Sequence, residues 1–333
     1  MVWADNAFVE ADKLGACLKE HLIVRSLVRI SLGALIGSGL LVLSTVVLRA
    51  QDLEPRAYSA SPVGTSFAGI GFGRSSGDIS FDPTIPITNA SATLYSPAVG
   101  LGHTFGVFGR LALLTATLPY AWGNASGDVG NQQQSLYRSG LADVRTRFSV
   151  NLWGDPAMSV EEFSKHPRRK LTVGTSLSMT SPSGQYDNTK LINIGTNRWS
   201  FKPEVGLSYQ VKKLDLDVYA GAWFFTDNTS FYMGHSDRSQ APVTALQGHV
   251  SYTVRRGMWV AFDSTWYGGG ETTIDGGVPS GRQGNSRLGA TASLPLAKGQ
   301  SFKIAYSSGV SGTVGAKFTT ISAGWQYVWF NRH

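Results

Sequence analysis

Residues 201–225, FKPEVGLSYQVKKLDLDVYAGAWFF, decide the fold. Phe201, Val205, Leu207 and Tyr209 share one parity, and Lys202, Glu204, Ser208 and Gln210 share the other. Past a polar break at Lys212 the alternation resumes. Leu214, Leu216, Val218, Ala220, Ala222 and Phe224 now oppose Asp215, Asp217 and Tyr219. Side chains of a strand point alternately to its two faces, so each run is a strand with one apolar and one polar face. The join is so short that the two strands must be antiparallel neighbours.

The same rhythm recurs along the chain, and no long segment carries the three-to-four spacing of an amphipathic helix. Between Gly140 and Trp153, Val144, Phe148, Val150 and Leu152 oppose Arg145, Arg147, Ser149 and Asn151. Leu246, Val250, Tyr252 and Val254 oppose Gln247, His249, Ser251, Thr253 and Arg255, and Leu288 to Leu296 oppose Arg287, Gly289, Thr291 and Ser293. Strands are expected near 63–74, 89–101, 108–120, 140–153, 169–180, 198–211, 213–225, 243–255, 257–267, 285–296, 300–309 and 314–330.

A soluble sandwich would alternate too, but the joins discriminate. Long joins at 75–88, 121–139, 181–197, 226–242 and 268–284 alternate with short ones at 102–107, Lys212, Arg256 and 297–299. Long outer loops and short periplasmic turns mark an outer-membrane barrel. The expected fold is all-β: a transmembrane antiparallel up-and-down β-barrel of about twelve strands. Two joins depart from this: 154–168 is long, with a short helix expected over Ser159 to His166, and 310–313 is short. Trp122, Trp153, Trp199, Trp223, Trp266 and Trp329 fall near strand ends, where interfacial girdles belong.

Composition agrees. Charged residues are 15% of the chain, against about 25% in soluble domains, while there are 39 glycines and 11% aromatics. The 29 Lys and Arg that produce a net charge of +7 are dispersed, which argues against nucleic acid as a partner. Cys17 is the sole cysteine and precedes the only long apolar run, Leu32 to Leu48, which has Arg25 and Arg29 in front and Ala50 behind. Basic region, apolar core and small residue are the parts of a secretory signal. A spanning helix is the rival reading, disfavoured by Gly33, Ala34, Gly37, Ser38 and Gly39. The expected division is an extension and signal over 1–50, cleaved near Ala50, and a barrel over 51–333.

Several phrases carry a family resemblance: PRAYSASPVGTSF at 55–67, SSGDISFDPTIPI at 75–87, RSGLADVRTRFSVNLWGDPAMSVEEF at 138–163, SPSGQYDNTKLINIGTNRWSFKPE at 181–204 and QGHVSYTVRRGMW at 247–259. They resemble the family described as putative MetA-pathway of phenol degradation. The resemblance covers essentially the whole mature chain. It implies an outer-membrane barrel of transporter type and supplies no catalytic residues.

The polar parity nominates a lumen and substrate path: Arg145, Arg147, Lys202, Glu204, Asp215, Asp217, Gln247, His249, Arg255 and Asp263. Tyr186, Asp187, Asn197, Arg198 and Trp199 are candidates at an outer rim. Eight-stranded barrels are filled by side chains and porins of sixteen or more strands hold water, so about twelve strands favour a narrow passage over a plug. The chain has no G-x-S-x-G elbow, H-E-x-x-H helix or P-loop. His249 with Ser251 is the one serine–histidine candidate, and a neighbouring pair without an orienting third group is poor chemistry. No cofactor, metal or enzymatic activity is expected. The expectation is a monomeric or weakly oligomeric channel in the bacterial outer membrane, passing small aromatic or hydrophobic compounds without an energy source. Its partners would be outer-membrane lipid, the solute and, during biogenesis, the barrel-assembly machinery. A plugged structural or surface-interaction barrel stands second, and a barrel lipid hydrolase third.

Overall fold

The computed structural model describes residues 54–80, 87–129, 132–190, 192–312 and 315–330; the expected leader, 1–50, lies outside them. The wall consists of β1 (Thr65–Ser80), β2 (Ile87–Val107), β3 (Arg110–Val129), β4 (Gln132–Leu141), β5 (Arg145–Trp153), β6 (Leu171–Thr180), β7 (Ser200–Val211), β8 (Leu214–Phe225), β10 (Val243–Arg255), β11 (Met258–Gly269), β13 (Gln283–Ala297), β14 (Gln300–Ser311) and β15 (Gly315–Phe330). Every pairing is antiparallel and between chain neighbours, except that β1 pairs with both β2 and β15 and so closes the sheet. Because β4 and β5 both pair with β3 as two halves of one stave, the closed wall has twelve staves. Closure gives each stave a neighbour on both sides, except that the upper half-stave β4 is paired with β3 alone; amides paired in this way need no water, as hydrocarbon demands.

Polarity is inside out. Val205, Leu207, Val218, Leu246, Phe262 and Tyr306 are exposed on the outer face, while Ser149, Ser176, Glu204, Asp217, His249, Asp263 and Thr291 are buried. In water such an apolar jacket would cost about 25 cal/mol per Å²; in a bilayer it is the solvated surface.

One end of the barrel is turned tightly. β2 and β3 meet at Phe108–Gly109, both at positive φ (48° and 72°), and β7 and β8 meet at Lys212–Lys213 with Lys212 at 54°. Positive φ at hairpin centres matches the twist of the flanking strands. The long join at this end holds α1 (Val160–Lys165), whose capping box pairs Ser159 Oγ with Glu162 N at 3.3 Å and Ser159 N with Glu162 Oε2 at 2.8 Å. Those bonds hold the exposed Glu162 carboxyl below its ordinary pKa.

At the other end the wall runs further than its loop-like composition suggests. The described residues of the expected loops at 75–88 and 121–139 are strand, and at the tightly turned end the expected turn at 102–107 is the last stretch of β2. Gly, Ser, Asn and Asp there read as turn formers, yet the ladders continue through Asp78–Ser91 and Ala125–Leu136. The stave expected over 140–153 is interrupted at residues 142–144, where Asp143 is only 2% exposed. Its carboxylate accepts from Gly184 N (2.8 Å), Thr196 N (2.9 Å) and Thr196 Oγ1 (2.6 Å), so the break anchors the loop over 181–197. That loop turns inward: Ile192 packs with Ile79, Ala90, Ala92 and Phe318, and Ile194 with Ala121 and Ala142. Short strands β9 (Arg238–Gln240) and β12 (Thr272–Ile274) pair with each other between the neighbouring loops.

Candidate functional site

The lumen is crossed at its turn end by the chain itself. Residues 54–64, just before β1, form a strap lying across the inner faces of β5–β8 and β10. Tyr58 is its wedge, 1% exposed. Its ring lies where a Cβ on Gly174 or Gly206 would come within 2.0 or 2.2 Å, so only glycine at those two positions leaves room for it. It meets Tyr219 edge-on at 5.2 Å, and its hydroxyl donates to Glu204 Oε1 and lies equally close to Ser176 Oγ, both at 3.1 Å. Arg56 Nη2 donates to Asp215 at 2.5 Å and to Thr253 at 2.8 Å, and its backbone N–H donates to Asp217 at 3.1 Å. Glu54 pairs with Arg147.

Glu204 is the hub of the lumen. Its carboxylate receives Tyr58 Oη, Arg147 Nη2 (3.1 Å) and Gln247 Nε2 (3.2 Å), and it pairs with Lys202 at 2.9 Å. A carboxylate has about four lone-pair sites, and these four donors occupy them, which offsets the cost of removing the charge from water. A second network lies one register step away. His249 Nδ1 faces Asp263 Oδ1 at 2.7 Å, and Thr291 Oγ1 donates to Asp263 Oδ2 at 2.7 Å, with His249 and Asp263 fully buried. His249 turns toward Asp263, and no hydrogen bond joins it to Ser251 among the described residues.

The ten lumen candidates therefore fall into groups. Arg147, Lys202, Glu204 and Gln247 form the first network, Asp215 and Asp217 hold the strap, and His249 and Asp263 form the second network. Arg145 lines the central cavity. Arg255 is exposed at the end of β10, beyond a bulge at Thr253–Arg255. Trp223, expected in the outer girdle, is 5% exposed and faces the lumen, with Lys202 Nζ 5.6 Å from its ring. It shares parity with Asp215, Asp217 and Tyr219, so the alternation itself places it inward. Sequence reasoning also passed over Tyr58, Tyr219 and Trp259, although the last two lie on polar parities.

The outer-rim candidates knit two loops together. Asn228, 1% exposed, donates to Tyr186 Oη at 2.8 Å and accepts from Asn197 Nδ2 at 2.9 Å. Tyr186 in turn donates to the Phe231 carbonyl at 2.5 Å, and burial pushes its phenol above its ordinary pKa. Arg198 donates to Gln240 at 2.5 Å beneath the Phe225 ring, and Trp199 stacks on Phe201. Lys190, and then Thr189, hold the half-exposed Asp187 carboxyl well below its ordinary range. These five residues order the loops.

Between loops and strap lies a central cavity of about 670 Å³ lined by Arg145, Arg147, Lys202, Glu204, Trp223 and Trp259 on one side and by Gly69, Gly71, Ala98, Gly100 and Gly324 on the other. A second cavity, of about 470 Å³, opens at the turn end. Both are lined by Pro55, Arg56, Trp259 and Lys303, so they adjoin beside the strap with these four residues between them.

A closed, inside-out barrel with a polar bore belongs to the class of transmembrane β-barrels with the outer-membrane channel fold. Within that class, the chain belongs to the family described as putative MetA-pathway of phenol degradation, whose pattern matches residues 74–326. An outer-membrane channel from Pseudomonas putida F1 has a similar structure, with a TM-score of 0.68 and 18% identity over 84% of this chain and all of that one. The transport unit of the autotransporter AIDA-I from Escherichia coli (TM-score 0.47, 13% identity, 88% of this chain and 96% of that one) and the KdgM porin (0.42, 9%, 80% and 99%) are more distant. At 18% identity the likeness to the Pseudomonas putida F1 channel is one of fold. No curated protein matches the sequence.

Proposed function

We propose that the protein is a passive diffusion channel of the bacterial outer membrane, admitting small solutes through a lumen narrowed by its own N-terminal strap. The observation that carries this reading is the pair of cavities that share Pro55, Arg56, Trp259 and Lys303 in their linings, so that only these residues of strap and wall stand between the centre of the lumen and its turn end. The short turns would then face the periplasm and the long loops the exterior. The barrel-assembly machinery would insert the chain, and lipid would solvate its apolar jacket. Export would remove the leader near Ala50 and leave Glu54, which lines the central cavity, close to the mature N-terminus. Small aromatic or hydrophobic compounds fit the aromatic and glycine surfaces of that cavity. Liposomes carrying the purified protein should swell in small organic solutes faster than empty liposomes. Equal rates with folded protein would refute the channel.

A second reading, a plugged structural barrel, is favoured by the strap and by the inward loop with Ile192 and Ile194. It predicts no swelling, with or without the strap.

A further inference from the structure

We propose that the lumen holds a binding site for a small organic carboxylate with an apolar body, centred on Lys303, which lines both cavities. The site rests on the reading of the bore as accessible to solute. One register row of the wall runs Trp259, Ser293, Lys303, Gly324, Gly71, Ala98, across six neighbouring staves from β11 to β2. All six residues line the central cavity. Lys303 thus stands between an aromatic platform and a stretch of wall with almost no side chains. Its ammonium lies 5.7 Å from the Trp259 ring, and Arg56 lies 4.9 Å from the same ring.

Charge separates Lys303 from the other cations. Arg56, Arg147 and Lys202 each pair with a carboxylate, whereas Lys303 makes no ion pair among the described residues and is exposed to the lumen. Across the central cavity, five cations (Arg56, Arg145, Arg147, Lys202 and Lys303) face two carboxylates (Glu54 and Glu204), and with Asp215, the partner of Arg56, counted as a third the net is +2. An anion entering here gains a charge-assisted hydrogen bond without displacing an existing pair. The glycines supply the space. A Cβ at Gly71 would meet only the Ala323 carbonyl within 4 Å, at 3.7 Å, and Gly71 lines the cavity, so the space next to it is open. A flat apolar body fits between that bare wall and the Trp259 ring, with its carboxylate on Lys303.

Titration calorimetry on the purified full chain in detergent, with benzoate as the probe and benzyl alcohol as its neutral counterpart, tests this site. Benzoate should bind at least about tenfold more tightly than benzyl alcohol, as one charge-assisted contact implies. Lys303→Gln should remove that preference, Gly71→Phe should abolish benzoate binding by filling the volume, and Arg255→Gln should change neither. Both lumen variants must retain the heat-modifiable gel shift of a folded barrel. Equal binding of the two probes, undiminished benzoate binding in Lys303→Gln, or competition by chloride as strong as by a second carboxylate would each overturn the site. Solute flux without Lys303-dependent benzoate binding refutes the site and leaves the channel standing. Lys303-dependent binding without flux refutes the channel alone.

Discussion

Replacing Tyr58 with alanine should release the strap while leaving the barrel folded. Tyr58 is 1% exposed, fills the hollow over Gly174 and Gly206, packs edge-on against Tyr219 and donates to the Glu204 carboxylate. Truncating a large aromatic in a packed site costs about 3–5 kcal/mol, and a hydrogen bond to a charged group is worth about 1.5–3 kcal/mol. These figures overlap, so about 4 kcal/mol is a fair total, or about a thousandfold in the docking equilibrium. The wall should lose little, since no wall hydrogen bond passes through Tyr58 and Glu204 keeps Arg147, Lys202 and Gln247. Backbone amides over 54–64 should then exchange far faster, and a protease should cut there, while the barrel's gel shift persists. Gly174→Ala should produce the same release, because its Cβ would fall 2.0 Å from the Tyr58 ring. Adding it to Tyr58→Ala should cost almost nothing more, the signature of two changes acting on one contact. Unchanged exchange and proteolysis over 54–64 in a folded Tyr58→Ala protein would refute the reasoning.

Other predictions follow from the loops and the second network. Asp143→Ala removes the acceptor for Gly184 N, Thr196 N and Thr196 Oγ1, so residues 181–197 should lose exchange protection while β5 to β8 keep theirs. Asp263→Leu leaves the buried His249 Nδ1 without its hydrogen-bond partner and should lower barrel stability by about 1–3 kcal/mol, whereas the double change with His249→Phe should recover much of that loss; thermal gel-shift midpoints report both. The backbone N–H of Asp237, and then His235, hold the Asp275 carboxyl below its ordinary pKa. Its contribution to the β9–β12 pairing is therefore present above the ordinary carboxylate range and is lost as pH falls through the lowered pKa. Exchange at Asp237 and Arg238 should rise in that acid window and not at neutral pH.

The wall was legible because strand side chains have a period of two and the bilayer sorts them by polarity; residues 201–225 announce both the strands and the hairpin. Loop composition misled at 75–88 and 121–139, where Gly, Ser and Asn serve long ladders rather than turns. Trp223 was misplaced because proximity to a strand end was given more weight than parity, which turns it inward. The strap could not be read at all. PRAYSASP has no alternation, and its docking depends on Gly174 and Gly206, more than a hundred residues away. Asp143 is similar: an acidic residue in an alternating run reads as a lumen side chain, and only its three donors from a distant loop reveal the break.

Single-channel recording of the purified full chain in a planar bilayer tests the central claim most directly. A lumen that stays open beside the strap predicts discrete conductance steps from the unaltered protein, with larger steps from Tyr58→Ala. Silence from both proteins, each shown to be folded and inserted, would mean that the bore is closed by more than its strap and would contradict the account.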